Sequence, residues 1–186
     1  INGRLRMMRG AIVAQQPSRV LVTGGAGYIG SHTVVELLAA GCEVLVVDNL
    51  SNASAESLRR VARITGRGAP LVQADIRDEA ALRRVLAGQR FDAAIHFAGL
   101  KAVGESVRDP LAYYDNNVAG TTTLLRVLND AGVKRLVFSS SATVYGDPER
   151  VPLDEAARTG PTNPYGRTKW MIEMMLSDLA VADAGW

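Results

Sequence analysis

Thr23-Gly24-Gly25-Ala26-Gly27-Tyr28-Ile29-Gly30 is the stretch from which the rest of the chain can be ordered. The apolar Val20–Thr23 before it reads as a strand, and apolar residues recur with helical period from Ile29 to Ala40 behind it. In a strand–turn–helix unit of this kind Gly24 permits the tight turn. Gly27 lets the backbone approach a pyrophosphate, and Gly30 lets the helix pack on the sheet. Around Tyr28 and Ile29 the first helical turn offers unpaired N–H groups and a partial positive charge to phosphates. Glycines also serve turns for steric reasons alone, so the pattern gains weight only with an acid at the end of the next strand. That second strand, Glu43–Val47, ends in Asp48-Asn49, eighteen residues past Gly30. A carboxylate there accepts hydrogen bonds from an adenosine ribose and repels a 2′-phosphate, which favours NAD over NADP. The competing reading has Asp48 cap the next segment.

Outward from this unit the alternation continues. Strands are expected at Leu71–Ala74, Ala93–Phe97 and Arg135–Ser139. Helices are expected at Glu56–Thr65, Glu79–Ala87, Tyr113–Ala131 and from Tyr165 toward Ala182. Gly41 and Gly132 stand where helix ends favour a residue tolerant of positive φ. Runs such as Val44-Leu45-Val46-Val47 suit strands buried on both faces. The expected fold is therefore α/β, a doubly wound parallel sheet of Rossmann type over residues 19–186, with ligands at the carboxyl ends of the strands. The proline-rich stretch Gly146–Pro164 reads as a long functional loop.

Composition sets the outer limits. The hydrophobic content of 47% and charged content of 22% are those of a globular protein, and no apolar run reaches a membrane-spanning length. The net charge of +2 conceals an asymmetry: Arg4, Arg6, Arg9 and Arg19 lie in the first nineteen residues without an acid, so the remainder carries −2. This gives no support to nucleic-acid binding. Residues 1–18 read as a flexible leader; their likeness to an organellar transit peptide is faint. The single cysteine, Cys42, excludes a disulfide framework, and no metal site is expected. His32 and His96 read as structural, and a cytoplasmic setting fits.

Two further motifs carry chemistry. Tyr165-Gly166-Arg167-Thr168-Lys169 places a phenol and an ammonium four residues apart on one helical face. A free tyrosine, with a pKa of about 10, is a poor base, and a neighbouring ammonium favours the phenolate. Phe138 through Gly146 reads Phe-Ser-Ser-Ser-Ala-Thr-Val-Tyr-Gly and lies at the end of the fifth strand. Ser141 could stand between Tyr165 and a reacting oxygen, although serines at strand ends are also ordinary turn formers. Tyr145 is either an auxiliary base or a packing residue.

Together these motifs resemble the extended short-chain dehydrogenase/reductase family. The turn is spaced G-x-x-G-x-x-G, Asp75-Ile76 comes after the third strand, and Phe97-Ala98-Gly99 after the fourth. Ala142-Thr143 stand where that family's nucleotide-sugar dehydratases carry an Asp-Glu pair. Residues 97–106 and 113–118 are similar to its nucleotide-sugar epimerase branch, and the likeness covers about Val20 to Leu179. The resemblance implies a Ser141–Tyr165–Lys169 catalytic set and retained NAD. It puts Asp48, Asn49, Asp75 and Ile76 on the adenosine side, and Phe97, Ala98 and Gly99 along the cofactor's middle. Lys101 and Asn116 become further cofactor contacts, while Lys169 also holds the nicotinamide ribose. Asp75 could alternatively be a helix cap, Asn116 a capping amide and Lys101 a solvated lysine. The implied reaction interconverts UDP-galactose and UDP-glucose at C4. UDP-glucuronate, UDP-N-acetylglucosamine or UDP-xylose are alternative substrates, and a non-catalytic NAD-sensing module is the alternative of another class. The resemblance further implies a homodimer, and a smaller UDP-sugar-binding domain outside these 186 residues, without which turnover would be low or nil.

Overall fold

The computed structural model describes residues 19–186, so the expected leader lies outside the described residues. Five strands form one parallel sheet: β1 (Arg19–Thr23), β2 (Glu43–Asp48), β3 (Leu71–Gln73), β4 (Ala93–His96) and β5 (Leu136–Phe138). Their spatial order is β3-β2-β1-β4-β5, so the chain winds outward one way from β1 and then back the other way. This is the doubly wound arrangement read from the sequence. Its switch point lies between β1 and β4, where a crevice opens at the strand ends.

The alternation of side chains along each strand supplies two cores. Leu21, Leu45, Val47 and Ala94 pack with Leu82, Val85, Leu124 and Leu128 on one face. These partners come from α3 (Glu79–Leu86) and α6 (Gly120–Asp130). Val20, Val22, Val44 and Val46 pack on the other face with Val34, Leu38, Leu58 and Val61. These belong to α1 (Tyr28–Ala39) and α2 (Glu56–Thr65). Strands apolar on both sides are thus covered on both sides, as a parallel sheet requires. Gly41 and Gly132 adopt φ of 88° and 72° after α1 and α6, as their positions suggested.

The predicted helix over Tyr113–Ala131 is three pieces. Asp109 caps a short α5 (Pro110–Tyr113), accepting from the Ala112 amide, with Pro110 at its first position. A π-helical segment, Tyr114–Ala119, comes next and runs into α6. The wider turn of a π segment holds an extra residue and re-aims its side chains; here it carries Asn116 and Asn117. A six-residue helix, α4 (Val103–Arg108), was not foreseen, being too short to show a period. The final helix, α7 (Pro164–Ala182), begins one residue early because Asn163 caps it and Pro164 fits its first turn. No described helix is long and apolar enough to cross a membrane.

Candidate active site

The glycine turn closes around three different steric demands. Gly24 has φ +71°, and a Cβ there would lie 2.5 Å from the Ala98 amide nitrogen. At Gly30 a Cβ would lie 2.3 Å from the Gly24 carbonyl oxygen, so this glycine is needed for packing against its own turn, not against the sheet. Gly25, which the pattern did not single out, has its Cβ position 2.8 Å from Val46 and seats the turn on β2. Gly27 is looser: a Cβ would meet only the Gly24 carbonyl oxygen, at 3.2 Å. Its lack of a side chain therefore serves the open side of the turn.

Asp48 holds this turn from the end of β2. One carboxylate oxygen accepts from the Ala26 amide at 3.0 Å, and the other from the Leu50 amide at 2.9 Å. Leu50 sits at φ 59°, a conformation that a leucine adopts only when its surroundings impose it. The acid is therefore a structural staple, and each of its oxygens keeps a lone pair for a ligand.

The crevice above β1 and β4 is walled by Gly24, Gly27, Tyr28, Ile29 and Gly30 on one side and by Asp48, Asn49 and Ile76 at the β2–β3 end. Phe97, Ala98, Gly99, Lys101 and Asn116 continue the wall, which ends at Tyr165 and Lys169. Two expected residues are not on it. Asp75 is turned toward Arg77 and Asn49, which donate to its carboxylate at 2.9 Å. The Arg77 guanidinium holds that carboxyl well below the usual range. Nor does Asp75 cap α3, because Asp78 does so through the Ala81 amide. Ser141 also stands off the wall, and its Oγ accepts from the Thr143 amide at 3.2 Å and from the Thr143 hydroxyl at 2.9 Å. Ser139 and Ser140 face the crevice instead, and the Ser140 Oγ is buried without a hydrogen-bond partner among the described residues. Tyr145 lies in the short 3-10 turn Ala142–Tyr145, away from the wall.

Tyr165 and Lys169 come together as the helical spacing predicted, with the ammonium 5.9 Å from the tyrosine ring centroid. Lys169 is only 5% exposed, and its Nζ donates to the Ser139 carbonyl at 3.0 Å. Burial pulls this lysine down to about 8, because the charged form loses its hydration. Its remaining N–H bonds have no protein acceptor among the described residues, which suits vicinal hydroxyls in the crevice. The start of α7 is tied down twice: the Asn163 side chain accepts from the Gly166 amide at 2.8 Å, and Ser106 of α4 accepts from the Tyr165 amide at 3.2 Å.

One residue that organises the site was missed. Asn117 is 1% exposed and exchanges hydrogen bonds with both the amide and the carbonyl of Leu100, at 2.8 and 2.9 Å. It also donates to the Thr168 hydroxyl at 3.0 Å, while Asn116 donates to its oxygen at 2.9 Å. The loop after β4 and the helix of Tyr165 and Lys169 are thereby fixed to one another. The only sequence signal was an amide beside Asn116, and the partners that reveal its role are far away in the chain.

The residues present fit a dinucleotide. Two glycine positions cannot hold a Cβ, the first turn of α1 opens onto the crevice, and a buried ammonium seeks acceptors at the far end. Residues 20–185 match the NAD dependent epimerase/dehydratase family. The UDP-glucose 4-epimerase of Bacillus subtilis is 58% identical over 167 residues, covering 90% of this chain and 49% of that protein. The Bos taurus UDP-glucose 4-epimerase is 58% identical over 175 residues, with 90% and 50% covered. The Bifidobacterium longum UDP-glucose 4-epimerase, solved with NAD+ and UDP, superposes with a TM-score of 0.88 at 52% identity, over 90% of this chain and 50% of that one. The chain spans about half the length of the curated relatives it matches. Sheet order, glycine cradle and matched length agree, and the chain belongs to the NAD dependent epimerase/dehydratase family.

Proposed function

We propose that this chain carries the cofactor-binding and proton-transfer residues of an enzyme that interconverts UDP-galactose and UDP-glucose at C4. The observation that carries the reading is the Tyr165–Lys169 pair at the end of a crevice whose other end is a glycine cradle. It is supported by the many relatives of that activity at 55–58% identity. NAD, held by the glycine turn, Asp48 and Lys169, would supply a reversible hydride acceptor for C4 of the sugar, which allows the configuration to invert with no net oxidation.

The chain's own residues account for the rest. Gly24, Gly27, Gly30 and the amides of Tyr28 and Ile29 receive the pyrophosphate. Asp48 accepts from the adenosine ribose with the lone pairs its backbone staples leave free, beside Asn49 and Ile76. Phe97, Ala98 and Gly99 line the middle of the cofactor, with Lys101 and Asn116 at its edge. Asp75 acts from behind, holding Asn49 in place. Tyr165, as phenolate, accepts the proton of the sugar's 4-hydroxyl and gives it back when the oxygen is reduced again. Lys169 donates to the ribose hydroxyls and favours the phenolate by its charge. By the family resemblance Ser141, which stands just beyond the crevice-facing Ser139 and Ser140 and accepts from the Thr143 amide, is the donor to the reacting oxygen. Ala142 and Thr143, in the next two positions, lack the carboxylates with which the resembling dehydratases eliminate water. A homodimer in the cytoplasm remains part of the proposal.

The test is conversion of UDP-galactose by the intact protein, with Tyr165→Phe alongside. Loss of a positioned base should lower the rate by ~10²–10⁴-fold. No conversion of UDP-galactose by the parent, with turnover of UDP-glucuronate, UDP-N-acetylglucosamine or UDP-xylose, would reassign the substrate. No turnover of any, despite bound NAD, would leave the sensing module.

A further inference from the structure

Lys169 presents an electrostatic problem that the proposed chemistry does not explain. The ammonium is almost wholly buried, yet no carboxylate pairs with it among the described residues, and its single protein acceptor is the Ser139 carbonyl. Buried charges ordinarily require a counter-ion or several hydrogen bonds. What faces Lys169 instead is an aromatic ring: its Nζ lies 4.7 Å from the centroid of Phe138, within cation–π range.

The ring is held in turn. Thr23 of β1 is registered with His96 of β4, and His96 with Phe138 of β5, so the three form one row across adjacent strands. His96 stacks on Phe138 at 5.6 Å and 30°. One imidazole nitrogen contacts the Thr23 hydroxyl at 2.7 Å, and the other contacts Thr121 of α6 at 2.9 Å. Full burial, and the nearby Lys169, pull the imidazole down to about 3, so the row is neutral at physiological pH. The other titratable groups on the crevice wall are Tyr165 on the ammonium's own helix, Lys101, Tyr28 and, at the β2–β3 end, Asp48.

We propose that Phe138 is the positioning residue for Lys169, its ring face standing where a counter-ion would otherwise be needed. The proposal rests on the reading of Lys169 as the partner of Tyr165. A carboxylate would stabilise the ammonium but cancel its field; a ring quadrupole stabilises it and leaves the net charge intact for the phenolate. The row Thr23–His96 keeps the ring from swinging away.

The test replaces Phe138 in the intact protein by phenylalanines bearing one, two and three ring fluorines, which hold shape while draining the π face. The protonation midpoint of Lys169 is read from the ¹³Cε shift of labelled lysine, assigned by its loss in Lys169→Arg. The midpoint should fall stepwise along the series, by roughly half to one and a half pH units in total. A midpoint that is unchanged along the series, or that rises, would overturn the proposal. Because this titration needs no turnover, it stays readable even if Tyr165 proves not to be the base.

Discussion

Lys169 shows how far a single residue's chemistry can depart from what its position in a motif announces. The spacing to Tyr165 was legible because a helix repeats every few residues. The burial of the ammonium was not, because it is made by strand ends and loops that lie more than twenty residues away. The same holds for Asn117 and for the orphaned hydroxyl of Ser140, whose significance exists only once distant backbone is folded over them. Burial also has a thermodynamic consequence. In the unfolded chain the lysine titrates near its ordinary value of 10.5, and in the folded chain near 8. Between those values the unfolded state binds more protons, so stability rises with pH there, and below about 8 the folded state carries the full cost of the buried charge. Lys169→Met should therefore be more stable than the parent at pH 7, by ~1–3 kcal/mol, while losing activity. Urea denaturation at pH 7 and again at about pH 10.5 checks this. The gain should shrink toward zero at the higher pH, and an equal gain at both would exclude the buried charge as its source.

At the scale of elements, the strand–turn–helix unit was read almost to the residue, since its strand, glycines and acid each obey a local rule. What the pattern could not give was which glycine answers to which constraint. Gly27→Ala needs only a small adjustment of the Gly24 carbonyl, whereas Gly30→Ala drives a methyl group into backbone. Gly27→Ala is accordingly expected to keep its melting temperature within a few degrees and to weaken NAD binding by about tenfold or more. Gly30→Ala should lose roughly 3 kcal/mol or more of stability as well. Calorimetric titration beside thermal melts separates the two, and equal behaviour of the variants would refute the steric assignment. The helix that became three pieces marks the other limit of reading by element. Asp109-Pro110 signals a start ahead of Tyr113, but a π segment such as the one that carries Asn116 and Asn117 has no composition of its own.

For the molecule as a whole, alternation of strands and helices was enough to give the architecture, and the relatives supply the scale: the chain matches half of their length. Strand β5 borders no further strand among the described residues, and Val137 on it is 61% exposed. A polypeptide of these 186 residues alone is expected to bind NAD measurably by titration calorimetry. It should convert UDP-galactose on the order of 10²-fold or more slowly than the intact protein, since loose placement of a substrate alone costs that much. A comparable rate would show that the smaller sugar-binding domain implied by the resemblance is dispensable. The strand order has one more implication, which concerns time. Among the described strands β1 is made first and ends at the centre of the sheet, with β2 on one flank and β4, some seventy residues later, on the other. The half made of β1, β2 and β3 can assemble early from neighbours in sequence, but the crevice has no second wall until β4 arrives and no far end until α7 does. A dinucleotide cannot template the first half of this domain during synthesis. It can only lock the finished one, so its effect should be felt in how slowly the domain comes apart and hardly at all in how fast it forms.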